Sequence, residues 1–452
     1  MCGIIGIYNN EEASTLAYMG LYAQQHRGQE GAGIVSANEG RLFRHMGEGL
    51  VSDVFMDPAV FDDLKGKSAI GHVRYSTTGV SDKTNVGPLM FNVDDSAVSI
   101  AHNGNLVDAA HMRRELQQKG AIFQTSTDTE IIIHLLAREK GNSIPERLER
   151  ALQKISGAYS LLVITPNELI AARDPLGIRP FCLGQLKDAY ILASETCAFD
   201  LLGADYLRDI EPGEMLVIDS TGMHTKQIFP PEKPSHCIFE HIYFSRPDSR
   251  IFNENVDKVR RKCSKILADE QPTPTADIVI SVPDSSNTNA LGYARRSNLK
   301  YEIGLIRNHY VGRTFIFPSQ RLRDLSVKLK FNTVSGVLKD REVVVVDDSI
   351  VRGTTLKKLT RLLRASGVKK VHVRIGSPPV QHPCFYGMDF PTESELIANH
   401  HSLKEIEDII EVDSLGYLSV EGMLEATGAE KDHFCTACFS GNYPVVSKGD
   451  HV

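Results

Sequence analysis

Apolar positions early in the chain come in short runs: GIIGIY from Gly3, SAIGHVRYST from Ser68, SAVSIAHNGN from Ser96 and AYSLLVIT from Ala158. Each is broken by glycine, asparagine or aspartate clusters. Runs of this length and composition predict strands. Two stretches between them, Leu106–Lys119 and Thr129–Lys140, have helix-forming composition, and Ser126, Asp128 and Glu130 supply cap and first-turn acids for the second. The pattern predicts layered sheets with covering helices.

The pattern changes after FPPEKPSHC, where Pro230, Pro231 and Pro234 mark a boundary. Beyond it, DIVISV and EVVVVD each lead through a turn into a helical pattern, and VKKVHVRI supplies a further strand. That alternation predicts an α/β domain with a largely parallel sheet. After Thr355, Leu356, Leu359, Leu362 and Leu363 fall on one helical face, the basic residues lie mostly elsewhere, and Gly367 ends the helix. The expected division is residues 2–230 and residues 231–452. At 452 residues the chain is long enough for two cores.

Composition narrows the class of ligand. With 42% hydrophobic and 24% charged residues the chain reads as globular, and its longest apolar runs, such as Val343 to Val346, are strand-sized, so no membrane span is expected. A net charge of -7 argues against nucleic-acid binding but permits a local basic pocket for phosphates. The start, MCGIIGIYNN, shows no targeting pattern, so a cytoplasmic location is expected. Eight cysteines in that setting suit metal binding, catalysis or burial better than disulfides.

Cys2 follows Met1, and removing that methionine would place a thiol and a free amine on one residue. An α-amine titrates at roughly pH 7.7 to 8.0, so it can take the thiol proton and later hand one to a leaving amine. Four further motifs bear on this: HRGQEGAGI at His26–Ile34, GHVRYST at Gly71–Thr77, AHNGNL at Ala101–Leu106 and STDTE at Ser126–Glu130. A turn at Asn103 and Gly104 would offer a side-chain amide and a backbone N–H to an oxyanion. Arg74 can grip the α-carboxylate of free glutamine in two N–H bonds, and Asp128 can accept from its α-ammonium. Taken singly, Arg74 also suits a surface ion pair and Asp128 a helix cap.

This region resembles the class II, N-terminal-nucleophile glutamine amidotransferases, which fold as a four-layer αββα sandwich. The resemblance implies that Cys2 forms a glutamyl thioester, that Asn103 and Gly104 stabilise the tetrahedral intermediate, and that Arg74 and Asp128 hold the substrate's two ends. Arg27 and Gly28 would help shape the pocket.

VVVVDDSIVRGTT, from Val343 to Thr355, combines a buried-type strand, two acids, a small-residue loop and a helix start. Asp347 and Asp348 can accept from ribose hydroxyls or share a magnesium ion. The backbone and hydroxyls of Ser349, Arg352, Gly353, Thr354 and Thr355 can wrap a 5′-phosphate at the helix N-terminus. VPDSSN joins another strand to a helix, and its Asp284, Ser285 and Ser286 can hold pyrophosphate, with Ser285 near the metal. The basic, aromatic-studded segment from Gly304 to Asn332 reads as a lid, in which Arg307, Arg313, Lys328 and Lys330 neutralise departing pyrophosphate and Tyr310 is a candidate gate for ammonia. The thirteen-residue pattern resembles the phosphoribosyl pyrophosphate signature of type I phosphoribosyltransferases.

Cys435 and Cys438 form a C-x-x-C pair, while Cys237 and Cys384 lie in HCIFEHIYFSRPDS and HPCFYGMD. Four thiolates bind either zinc or an iron–sulfur cluster, and spacing alone does not choose. Taken whole, with HRGQEGAGI, YFSRPDS, VPDSS and VDDSIVRGTT, the chain resembles the amidophosphoribosyltransferase family in its cluster-bearing branch. That resemblance implies a 4Fe-4S cluster on Cys237, Cys384, Cys435 and Cys438, Mg2+, feedback inhibition by purine nucleotides and a homotetramer or homodimer. In one respect the chain departs from that branch, whose members commonly carry a short propeptide: here Cys2 needs only the removal of Met1.

Overall fold

A computed structural model describes residues 1–75, 82–308, 330–390 and 392–446. The N-terminal part holds two antiparallel sheets. The seven-stranded one contains Gly3–Tyr8, Gly31–Asn38, Arg41–Glu48, Ser68–Arg74, Cys182–Leu186, Ala189–Ala193 and Asp205–Asp209. The six-stranded one contains Leu89–Val93, Ser96–Leu106, Gly157–Ile164, Leu169–Arg173, Glu214–Asp219 and Gly222–Gln227.

Both sheets are apolar on both faces, and the period of two in a strand sorts their side chains. Ile4, Val35, Leu162, Ile164 and Leu169 fill the space between the sheets. Ile5, Ile7 and Ile34 face the opposite way, under the helices Ala13–Ala23 and Cys197–Leu202. Leu161, Val163 and Ile170 do the same for the second sheet, packing with Ile131, Ile132, Leu136, Leu148 and Leu152 of two covering helices. The layers therefore run helix, sheet, sheet, helix.

The C-terminal part is built on a parallel sheet ordered Lys300–Tyr301, Ile278–Ser281, Glu342–Asp347, Lys370–Ile375, Ser414–Tyr417. Val343 to Val346 are wholly buried there, as expected of a central parallel strand. Helix Thr354–Ala365 covers one face, turning Leu356, Leu359 and Leu363 into the core. A single parallel pairing of His236–Cys237 with Phe434–Cys435 ties the end of the chain back to the junction between the two halves.

Two local expectations fail. The strand from Ser96 runs on to Leu106, pairing Asn103 with Ser160 and Gly104 with Tyr159, so Asn103 and Gly104 are not a turn. The helix expected from Leu106 starts only at Ala109. Asp128 helps set that boundary: its carboxylate accepts from the Leu106 N–H at 2.8 Å and makes no cap bond to its own helix. Among the described residues, no helix is long and apolar enough to cross a membrane.

Candidate active site

Cys2 precedes the central strand Gly3–Tyr8, whose neighbours are Ser68–Arg74 on one side and Ala189–Ala193 on the other. Its backbone is pinned twice: the N–H donates to Asn103 Oδ1 at 3.2 Å, and the carbonyl accepts from Arg27 Nε at 2.9 Å. Its thiol points towards the Tyr75 carbonyl, at 3.7 Å. One pocket is lined by Cys2, His72, Arg74, Gly104, Asp128 and neighbouring residues. The structure thus brings Cys2, Gly104, Arg74 and Asp128 together. Asn103 is fully buried beside them, and its amide nitrogen has no hydrogen-bond partner among the described residues.

Electrostatics favour an ionised nucleophile. With Met1 in place, burial pushes the Cys2 thiol up, but the charge and hydrogen bond of His72, with help from the Met1 ammonium, bring it down to about 6. His72 went unnoticed in the sequence. The available signal was its place two residues before Arg74 in a strand, which puts both side chains on one face.

Arg27 and Gly28 support the site from behind. Arg27 is fully buried, donating to Glu240 at 2.9 and 3.1 Å and pairing with Glu195. Glu195 in turn accepts from the Arg246 N–H at 2.9 Å and from Ser249 Oγ at 2.7 Å, which gives the YFSRPDS motif a structural purpose. A Cβ on Gly28 would meet the Arg74 backbone at 2.6 Å, so only glycine permits that approach. Gly104 is constrained likewise: at φ +153 an added Cβ would come within 2.0 Å of the Ala158 carbonyl oxygen.

The C-terminal half adds a wall. Phe385 O accepts from Asn105 Nδ2 at 3.0 Å, Asp389 accepts from the Tyr75 hydroxyl at 3.3 Å, and Gly387 lies so close that a Cβ there would touch the Gly104 backbone at 3.0 Å.

Asp347 and Asp348 end the central parallel strand, both buried. Ser286 Oγ donates towards Asp347 at 2.8 Å and Asp348 at 3.2 Å, and Ser349 Oγ donates to Asp348 at 2.8 Å. Burial pushes both carboxyls up, and for Asp347 the adjacent Asp348 charge adds to it. A divalent cation would relieve such a pair. Ser285 also hydrogen-bonds Asp348, whereas Asp284 turns to Arg307 at 3.2 Å. Lys330 stands over the Phe331 ring, its ammonium made less basic by burial and then by Arg307. Gly353 takes φ +72 to start helix Thr354–Ala365, which has no side-chain cap on its first-turn N–H groups. Thr354 and Thr355 are its first two residues, and Arg352 pairs with Glu395 at 3.3 Å. Tyr310, Arg313 and Lys328 lie outside the described residues.

Cys237, Cys384, Cys435 and Cys438 line a single pocket with Phe239, Tyr386, Met388 and Phe390. All four are free thiols. Among the described residues no three of these sulfurs lie within 4.8 Å of one another. Four such thiols could hold either a zinc ion or an iron–sulfur centre.

Residues 72–200 match a family described as a glutamine amidotransferase domain, and residues 251–375 one described as a phosphoribosyl transferase domain. Over its whole length the chain is 48% identical to an amidophosphoribosyltransferase of Bacillus subtilis (strain 168), covering 95% of that protein. It is 49% identical to the chloroplastic amidophosphoribosyltransferase 2 of Arabidopsis thaliana, covering 80% of it. A solved allosteric regulatory enzyme of purine biosynthesis superposes with a TM-score of 0.94 at 48% identity, over 98% of this chain and 96% of the other. The glutamine phosphoribosylpyrophosphate amidotransferase of B. subtilis, solved in complex with ADP and GMP, also gives 0.94, at 47% identity over 100% and 99%.

Proposed function

The chain belongs to the amidophosphoribosyltransferase family, phosphoribosyltransferases with a glutamine amidotransferase domain that act in purine biosynthesis, and on that premise we propose which of its residues carry each half of the reaction. The observation that carries the reading is the single pocket shared by Cys2, Arg74, Gly104 and Asp128.

After loss of Met1, the Cys2 thiolate attacks the glutamine carboxamide. Its sulfur pair forms the S–C bond while the carbonyl pair moves onto oxygen, where the Asn103 amide and the Gly104 N–H receive it. Arg74 holds the α-carboxylate and Asp128 the α-ammonium. The Cys2 α-amine, having taken the thiol proton, hands it to the departing nitrogen as the C–N bond breaks, so that ammonia leaves, and water then hydrolyses the thioester to glutamate. Ammonia passes inward, since in bulk water at neutral pH it would take a proton and lose its lone pair. At the second site it displaces pyrophosphate from C1 of phosphoribosyl pyrophosphate, giving 5-phosphoribosylamine. The amides and hydroxyls of Ser349 to Thr355 hold the 5′-phosphate, Asp347 and Asp348 the ribose side, and Ser285, Arg307 and Lys330 the pyrophosphate side.

Asp347, Asp348 and Ser285 would hold Mg2+, which supplies positive charge against the leaving pyrophosphate. The four cysteines would hold a 4Fe-4S cluster, whose part is to fasten the C-terminal tail to the junction. Domain limits at 2–230 and 231–452 fit the two sheet systems and the two family matches. Purine nucleotides are the expected feedback inhibitors and a homotetramer or homodimer the expected assembly, in keeping with the ADP and GMP bound by the B. subtilis relative.

The test is release of glutamate and pyrophosphate from glutamine, with and without phosphoribosyl pyrophosphate and magnesium. Equal amounts of both products are expected, and Cys2→Ala should lose glutamine use while keeping ammonia-dependent pyrophosphate release. Binding of phosphoribosyl pyrophosphate without either product would instead point to a sensor. Iron and acid-labile sulfide in anaerobically purified protein check the cluster, and one equivalent of zinc without sulfide would overturn it.

A further inference from the structure

We propose that Arg179 is the counter-charge and positioning residue of the metal–thiolate centre held by Cys237, Cys384, Cys435 and Cys438. The inference rests on the reading of those four cysteines as metal ligands.

Arg179 lies between the strands Leu169–Arg173 and Cys182–Leu186 and is wholly buried. A guanidinium keeps its charge, so a buried one needs an anion. Its hydrogen bonds supply none. Nε, at 2.9 Å, and Nη2 both donate to the Tyr386 carbonyl, which is neutral, and Nη1 has no hydrogen-bond partner among the described residues. Glu240 faces Nη1 at 3.5 Å without a hydrogen bond, and its carboxylate is already engaged. It takes two bonds from Arg27, at 2.9 and 3.1 Å, and one from Ser245 Oγ at 2.6 Å. Glu195, the other acid of that group, is taken up by Arg27, His26 and Ser249.

The thiol pocket adjoins Arg179 through two residues. Ile178, just before it, lines that pocket and accepts from the Cys237 N–H at 3.0 Å. Tyr386, whose carbonyl holds the guanidinium, lines the pocket too, and its own N–H donates to Cys384 Sγ at 3.4 Å. The Tyr386 hydroxyl donates to the Val445 carbonyl at 2.7 Å, so one residue ties guanidinium, sulfur and C-terminal tail together. No charged side chain lines the pocket among the described residues; beyond the sulfurs its wall includes Phe239, Met388 and Phe390. Burial works against the Arg179 charge, and ionised Cys237 and Cys384 favour it more than Glu240 does. None of these contacts involves Met1.

Four thiolates closed on a zinc ion or on a 4Fe-4S core form a net dianion. Buried in an apolar wall, that dianion needs a positive charge beside it, and Arg179 needs an anion. Each supplies what the other lacks.

The experiment is anaerobic bleaching of the cluster's visible absorbance by ferricyanide in cluster-loaded native protein, Arg179→Gln, Arg179→Lys and Glu240→Gln. Ferricyanide takes an electron from the centre, and a neighbouring cation holds that electron in place. Arg179→Gln should bleach roughly tenfold faster than native, as expected for one charge removed at short range. Arg179→Lys keeps the charge and should stay within about threefold of native. Glu240→Gln disturbs the same buried ions without removing positive charge from beside the sulfurs, so it should bleach no faster than native. Native-like bleaching of Arg179→Gln overturns the proposal, and so does equal acceleration in Arg179→Lys or in Glu240→Gln. Should Arg179→Gln take up no iron, the lysine variant decides: iron in Arg179→Lys supports the charge, and none overturns it. Failure of the cysteine assignment reads differently, because native protein would then hold neither iron nor acid-labile sulfide before any variant is made.

Discussion

Arg74 is the last residue of its strand, and its guanidinium is buried in the pocket wall with one arm on the Asn85 carbonyl. Lysine would keep the charge but not the fork that can meet a carboxylate in two parallel bonds. Arg74→Lys should therefore raise the KM for glutamine about 10- to 100-fold, the loss of one charged hydrogen bond of about 1.5–3 kcal/mol. Ammonia-dependent turnover should change little, and steady-state kinetics with each nitrogen donor check both halves of that statement. At this scale the sequence was most legible where chemistry needs unusual residues close together: a cysteine at position 2, Asn-Gly in AHNGNL, and two aspartates after a valine run. His72 was not legible because alternation reveals a face but not which strand lies alongside. Glu195 and Glu240 were hidden for a related reason: their partner Arg27 is distant in sequence, and nothing local marks a buried carboxylate.

Helix Thr354–Ala365 shows how an element carries a site. Its Leu356, Leu359 and Leu363 stripe anchors it to the sheet, which aims its uncapped N-terminus at the loop after Asp348. The turn into it needs Gly353, whose φ of +72 disfavours any side chain and whose Cβ would stand 2.8 Å from Ile397 Cδ1. Gly353→Ala should cost about 1–2 kcal/mol in backbone conformation alone and weaken phosphoribosyl pyrophosphate binding at least tenfold, as read by titration calorimetry. Periodicity predicted this helix to within a residue or so, because one side is buried and the other solvated. It failed around Leu106, where the strand continues to that residue and the helix waits until Ala109. There the deciding interaction, the Asp128 carboxylate on the Leu106 N–H, comes from another element.

Across the whole molecule, the two halves meet through charge as well as apolar contact. Glu240, in the short π-helix Glu240–Phe244 at the start of the C-terminal part, sits between Arg27 and Arg179 of the N-terminal part with every partner buried. Removing its charge leaves the guanidiniums short of a counterion in a dry place. Glu240→Gln should destabilise the fold by about 3–5 kcal/mol, seen as a lower midpoint in urea unfolding, and should loosen the Cys2 carbonyl that Arg27 holds. None of this assembly was visible in the sequence beyond a proline-rich joint, since it depends on pairings between remote segments. The same remoteness bears on the order in which the protein is made. The nucleophile emerges first from the ribosome, but Phe385, Gly387 and Asp389, which rest on Asn105, Gly104 and Tyr75, come out late. At roughly 5–20 residues per second the interval is some tens of seconds. A nascent chain therefore lacks one wall of the pocket around Cys2 until most of the C-terminal half has been made.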